Sequence, residues 1–296
     1  MSEPKQLLAE LYTRAAPDYG EVGAPLFAVA GRRLVEVAGV RPGERVLDVA
    51  AGRGAVLLPA AERVGPNGHA VGLDLALGMV EQAAATIAAA GLSNAEIRLG
   101  DAEQLPFRSS TFDRVLCSFA VFWFADLTRA LAEMQRVLRP GGTLGFAFAR
   151  GADPRWTWYE DLLRAWGALD DLPALPGQPG IREPGALVTR LSAAGFAGAR
   201  EVVEDVELLY RDPEDWWASL WTHGSRVALE RLPAAALGRV RTECLARAAA
   251  QTAADGLPQR YRLVYVLARR APRPSETGPS DAPDEAEAGL KPGAQG

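Results

Sequence analysis

Cysteine and histidine are scarce in this chain of 296 residues, which carries two of each. Cys117 falls inside a strand-like run and Cys244 in a distant helical segment, so neither a disulfide framework nor the close ligand spacing of a zinc site is available. The pair reads as reduced thiols, which points to the cytoplasm, and no metal site is expected. No cluster of lysine and arginine interrupts a composition whose formal net charge is −5, so the electrostatic footprint of a nucleic-acid partner is missing. Long hydrophobic runs are absent too: the most apolar stretch, 115–125, is too short to cross a bilayer, which argues against membrane insertion. Residues 1–12 alternate charged and apolar side chains without a signal-peptide core, so export is not expected. No internal repeat is visible. The last 26 residues, with five prolines and five acids, have too little apolar surface to order themselves, and 271–296 reads as a disordered tail without a catalytic part.

What the chain does have is glycine in one telling place. The β-branched run Arg45 to Val49 leads into Ala50-Ala51-Gly52-Arg53-Gly54, a helix-like stretch follows over 55–64, and a second apolar run, 70–73, ends at Asp74. Glycines at 52 and 54 let the backbone pass close to a ligand. Asp74 stands where a carboxylate accepts hydrogen bonds from ribose hydroxyls in nucleotide-binding α/β folds, although an aspartate there also suits a plain helix cap. Asp101 and Ala102 follow a third strand, 96–99, so an acceptor side chain and a backbone amide emerge at the same sheet edge. Phe112 to Ser118 is a fourth strand, apolar as buried parallel strands are, and Ser118 ends it at that edge. Asp126 caps a helix running to Leu138, and Pro140-Gly141-Gly142 stops it and turns the chain into a fifth strand, 143–149.

Those four ordered segments, around Gly52, Asp74, Asp101 and Pro140-Gly141-Gly142, resemble the class I S-adenosylmethionine-dependent methyltransferases, especially the branch of ubiquinone and menaquinone biosynthesis enzymes. The resemblance covers about 10–150 well and runs more loosely to about 270. It implies a Rossmann-like α/β fold, a seven-stranded sheet flanked by helices with helical lid insertions, and S-adenosylmethionine as cofactor. It further implies cofactor contacts by Tyr19, Asp48, Ala50, Gly52, Gly54, Asp74, Leu75, Met79, Asp101, Ala102, Glu103 and Ser118. Two positions depart from the family pattern. Ala50 stands where the first glycine of the turn is usual, so that position is expected to hold a conformation open to alanine. Ala76 stands where a serine often caps the next helix.

The remaining chain divides into an entry segment, 1–40, a cofactor-binding core, 41–150, a lid insertion, 151–183, and the rest of the core, 184–270, with a helix near 184–194, a sixth strand over 199–210, a seventh over 260–268 and a second helical insertion at about 211–258. If the fifth and sixth strands run parallel to the first, both insertions leave the carboxyl edge of the sheet, where ligands bind in open α/β folds. Six of the seven tryptophans lie in them, Trp156, Trp158, Trp166, Trp216, Trp217 and Trp221. Such rings either pack the insertions onto the sheet or line a pocket for a sizeable, partly apolar acceptor. Of the two histidines, His69 belongs to the opposite edge of the sheet and reads as a surface residue, whereas His223 is the one in reach of a substrate and the candidate catalytic base. Tyr19, in a stretch resembling the mobile entry segment of these enzymes, is the candidate to close over the sulfonium, with Tyr12 a weaker one; Asp18, beside Tyr19, is a weaker candidate for the catalytic base. The expected activity is methyl transfer to oxygen, nitrogen or carbon of a small organic metabolite, in the manner of specialised-metabolite tailoring. Two alternatives stay open: a non-catalytic or repurposed S-adenosylmethionine-binding protein, and a nicotinamide-dependent oxidoreductase. The latter lacks its third glycine, because Leu57 stands there.

Overall fold

Two helices lead into the sheet, α1 (Glu3–Ala15), with a proline in its first turn, and α2 (Leu26–Val37). The computed structural model describes residues 2–170, 172 and 175–271, so the expected tail, 271–296, lies outside the described residues apart from Ala271. Strands and helices then alternate: β1 (Arg45–Val49), α3 (Leu57–Val64), β2 (His69–Asp74), α4 (Leu77–Ala89), β3 (Ala95–Leu99), β4 (Phe112–Ser118), α5 (Leu127–Val137) and β5 (Leu138–Ala149). After β5 come α6 (Thr157–Ala165), α7 (Ala186–Ala193), β6 (Phe196–Tyr210), the helices α8 (Pro213–Ser219), α9 (Ser225–Leu229) and α10 (Ala234–Ala249), and β7 (Leu257–Arg270).

The sheet order is β3-β2-β1-β4-β5-β7-β6. The first five strands are parallel; β7 runs antiparallel to both β5 and β6, which leaves β6 parallel to β5. Order reverses between β1 and β4, and the crevice above that point is where open α/β sheets bind ligands. Both insertions leave from the carboxyl ends of parallel strands, β5 and β6, as expected. β1 and β2 are buried on both faces, because Val46 and Ala70 share one apolar cluster with α2 and α3 while Leu47, Val49, Val71 and Leu73 share the other with Ala102 and Leu105, which is why their sequences are nearly continuous apolar runs.

The Asp126 carboxylate accepts from the Arg129 amide at 2.9 Å and caps α5 as expected. Pro140-Gly141-Gly142 does not stop that helix: it ends at Val137, and the tripeptide lies inside β5, whose register against β4 shifts between Phe112 and Arg114. The helix after the glycine-rich turn starts at Leu57, not 55, because the turn itself consumes 52–56.

Helix α2 is seated on that turn through Gly31. A β-carbon at Gly31 would lie 2.1 Å from the Ala55 carbonyl oxygen and 2.6 Å from its carbon, both rigid backbone. Gly31→Ala is therefore expected to destabilise the fold by roughly 3 kcal/mol and to lower the melting temperature by about 5–10 °C. A calorimetric scan with no change would mean that α2 does not rest on the turn.

Candidate functional site

Three cavities meet above the carboxyl ends of β1, β2 and β4. The first, about 100 Å³, is lined by Ala50, Gly52, Asp74, Leu75, Met79, Asp101, Ala102, Glu103 and Ser118, and is roofed by Lys5, Leu8, Ala9 and Tyr12 of α1. Most of the residues expected to contact a nucleoside cofactor thus share one space. The second, about 560 Å³, lies beneath the insertions. The third, about 160 Å³, is lined by Asp48, Ala50, Gly52, Arg53 and Ser118 and adjoins the first. Gly54 lines none of them. Its φ of 97° shows a conformational role, letting the turn fold back under α3.

The acid ending β2 organises this corner. Asp74 accepts from the Gly52 amide at 2.7 Å with one oxygen and from the Ala76 amide at 2.9 Å with the other. It thereby fixes the glycine-rich turn to β2 and does part of the capping that the Ala76 side chain does not do for α4. Burial raises its pKa, offset by the amides of Ala76, Gly52 and Leu75. Asp48 is more extreme: it is 1% exposed, and neither oxygen completes a hydrogen bond among the described residues. Burial pushes its carboxyl well up, the Leu57 amide lies near enough to offset a little of this, and the charge of Asp74 adds to the rise. The Ser118 hydroxyl is likewise buried without a partner among the described residues. Buried polar atoms without partners cost free energy, and a cation with hydrogen-bond donors would satisfy both. The ammonium end of an amino-acid-bearing nucleoside fits these residues.

The expectation for Ala50 needs correction. Its φ is 56°, in the left-handed region that favours glycine, so the position has not become open to alanine; alanine is held there under strain. Gly52 is also left-handed, φ 54°, and a β-carbon on it would sit 3.6 Å from the Tyr19 ring.

Four aromatic rings, Tyr12, Tyr19, Phe119 and Trp123, line both the first and the second cavity and form the wall between them. Tyr19 is stacked on Phe27 at 4.7 Å between centroids and meets Tyr12 edge-on at 5.9 Å. Tyr12 meets Trp123 edge-on at 6.5 Å, and Phe27 meets Phe119 at 5.1 Å. Phe119 has φ 55°, a strained conformation for an aromatic residue, and it turns the chain out of β4 into the 3-10 turn Val121–Trp123. Sequence reading missed Phe119 and Trp123 because both sit in an apolar stretch that strand burial explains; a left-handed backbone leaves no mark in composition.

Across the second cavity stand Trp156, Trp216, Tyr159, Leu220 and His223 from the two insertions, with Arg182, Gln259 and Tyr261 at its margin. Trp156 and Trp216 pack at 4.6 Å and belong to a core that the two insertions share with Tyr210 and Leu257. The other four tryptophans of the insertions serve that packing and do not line the cavity. His223 is partly accessible from the cavity yet deeply enclosed by protein, and that enclosure pushes its imidazole down to about 4. His69 begins β2 at the far edge of the sheet, 3.5 Å from Glu96, as expected.

A family model described as a methyltransferase domain matches residues 46–142. The nocamycin O-methyltransferase of Saccharothrix syringae is 35% identical over 274 residues, 88% of this chain and 98% of that protein. The demethylmenaquinone methyltransferase of Symbiobacterium thermophilum is 35% identical over 145 residues, 47% of this chain and 58% of that protein. Among solved structures, the YcgJ protein of Bacillus subtilis superposes with a TM-score of 0.55 at 20% identity, over 82% of this chain and 98% of that one, a likeness of fold.

Proposed function

The chain belongs to the class I S-adenosylmethionine-dependent methyltransferases, and on that premise we propose that it methylates an oxygen atom of a sizeable, partly apolar specialised metabolite. The observation that carries this reading is the second cavity, about 560 Å³, walled by aromatic rings and separated from the first cavity by four of them. Such a lining supplies contact area at low conformational cost and suits a flat, multi-ring acceptor. A relative aligned over nearly its whole length is named for transfer to oxygen, which supports oxygen as the acceptor atom.

S-adenosylmethionine supplies a methyl group on a positively charged sulfur, open to in-line displacement. We assign Asp74 to the ribose hydroxyls, Asp101 and Ala102 to the adenine edge, and Asp48 with Ser118 to the amino-acid end. Ala50, Gly52, Leu75, Met79 and Glu103 supply the walls, and Tyr19 with Tyr12 covers the reacting centre. The main task of these residues is alignment, worth far more than any proton transfer in such a displacement.

His223 faces the acceptor as a neutral imidazole. With its pKa depressed to about 4 it is unprotonated at neutral pH, and it takes a proton only from an acidic hydroxyl. His223→Ala is expected to lower kcat/KM by about 10-fold for an acidic hydroxyl acceptor, less than a base matched to the working pH would contribute, while leaving cofactor affinity alone. Because the group titrates near 4, the wild-type pH profile should show no imidazole limb between about 5 and 8, its activity falling only toward the acid end. A limb near the ordinary histidine value would overturn the assignment. The activity itself is tested by incubating the protein with S-adenosylmethionine and a panel of oxygenated aromatic and polycyclic metabolites, read by mass spectrometry. Methylated product supports the reading; tight cofactor binding without transfer to any acceptor would favour a repurposed cofactor-binding protein.

A further inference from the structure

We propose that Lys5 is a latch that fastens helix α1 over the first cavity and sets how long the cofactor stays bound. The proposal rests on the reading that Asp101 and Glu103 border the adenosine site. Lysine is nearly absent from this chain: Lys5 and Lys291 are its two lysines, and arginine supplies the other basic residues. The Lys5 ammonium lies 2.7 Å from Asp101 Oδ2 and 2.5 Å from Glu103 Oε2. The other acid–base pairs among the described residues use arginine, or His69.

The two carboxylates form a socket that does not depend on α1. Asp101 Oδ1 accepts from the Glu103 amide at 2.9 Å, and Glu103 Oε1 accepts from the Asp126 amide at 2.9 Å. Each acid is thus held by backbone on one oxygen and presents the other to Lys5. A compact ammonium with three donors fits between two such oxygens. The Lys5 side chain is only 12% exposed and that of Glu103 10%, so the contact is unlike a solvated surface pair of negligible worth. Burial alone would lower the Lys5 pKa, but the hydrogen bonds and charges of Asp101 and Glu103 outweigh it and raise it. The Lys5 ammonium therefore keeps its charge at neutral pH.

At its other end α1 is pinned. The Gly78 amide donates to Thr13 Oγ1 at 3.3 Å, a β-carbon on Gly78 would lie 2.7 Å from the Thr13 carbonyl oxygen, and Arg14 pairs with Glu230 at 3.2 Å. Between pivot and latch, about 12 Å of helix carries Leu8, Ala9 and Tyr12 across the cavity. Two ion pairs from one lysine at one end of a helix that is pinned at the other are the arrangement of a hinged cover. Lys5 acts through the helix and is a positioning residue, not a catalytic one.

The test uses the full chain and S-adenosylhomocysteine. In limited acylation read by mass spectrometry, Lys5 is expected to react far more slowly in the cofactor-bound protein than in urea. In stopped-flow dissociation, Lys5→Met is expected to release S-adenosylhomocysteine about tenfold faster than wild type, the scale of one charge-assisted contact, with Lys5→Arg in between. Unprotected Lys5, unchanged release from Lys5→Met, or equal rates from Lys5→Met and Lys5→Arg would each overturn the latch. Asp74→Ala separates the two levels: if it weakens binding while Lys5→Met does nothing, the site stands and the latch falls, and if Asp74→Ala is also silent, the site itself is misplaced.

Discussion

Replacing Asp74 by alanine is expected to weaken binding of S-adenosylmethionine and S-adenosylhomocysteine by about 100-fold, with the fold retained. The carboxylate ends β2 with its two oxygens already taken once each, by the amides of Gly52 and Ala76. Each oxygen keeps a further lone pair for a ribose hydroxyl, and a hydrogen bond to a charged acceptor is worth about 1.5–3 kcal/mol. Two such bonds, less the cost of ordering the sugar, give roughly 3 kcal/mol, which is the 100-fold. Removing the acid also frees the Gly52 amide, so the turn that carries the cofactor loses its tie to β2. Asp74→Asn keeps one acceptor oxygen and should fall between the two. Isothermal titration measures all three, and unchanged affinity for Asp74→Ala would mean that this carboxylate does not reach the ribose.

The same corner gives the affinity a pH dependence whose sign follows from burial. Asp48 and Asp74 both have raised pKa values in the free protein, burial being the first cause for each. The folded, ligand-free protein therefore holds protons that the unfolded chain releases, and its stability falls as pH rises from the ordinary carboxyl value through the elevated ones. A cationic ligand favours the ionised acids, so binding expels protons and affinity for S-adenosylmethionine climbs with pH across that window. Methylthioadenosine, which lacks the amino-acid end, should show a flatter profile because it leaves Asp48 untouched.

Much of this was legible in the chain because the sheet writes itself in runs of apolar residues punctuated by glycine, proline and acids. β1 and β4 match the expected bounds residue for residue, and β2 extends the expected run by one residue at its start, because burial on both faces leaves only one way to read such strands. The gathering of Gly52, Asp74, Asp101 and Ser118 at one edge follows from strand polarity alone. What the chain did not disclose is backbone conformation and long-range pairing. The left-handed φ of Ala50 and Phe119, the contact of Lys5 with acids about a hundred positions away, and the mutual packing of the two insertions arise only when distant segments meet. The tripeptide after α5 misled for the opposite reason: proline and glycine mark a break in a helix and a bulge in a strand alike.

Tyr19→Ala is expected to lower kcat/KM by about 100-fold, and Tyr19→Phe by no more than about threefold. The ring is what matters. It lines all three cavities, lies against Gly52, and is held by stacking on Phe27. Its hydroxyl makes no hydrogen bond among the described residues, and burial raises the phenol well above its ordinary value, so it is no base. Removing the ring would join the cofactor corner to the acceptor cavity, admit water to the reacting centre and take away a π face from the positive sulfur, a contact worth about 0.5–2 kcal/mol. The rest of the loss is misalignment, since small displacements of reacting atoms cost such displacements dearly. The signature lies in the ligand charge: affinity for S-adenosylmethionine, a sulfonium, should fall more than affinity for S-adenosylhomocysteine, a neutral sulfide. Equal losses for both would make Tyr19 a packing residue of the entry segment, and a large defect in Tyr19→Phe would transfer the role from the ring to its hydroxyl.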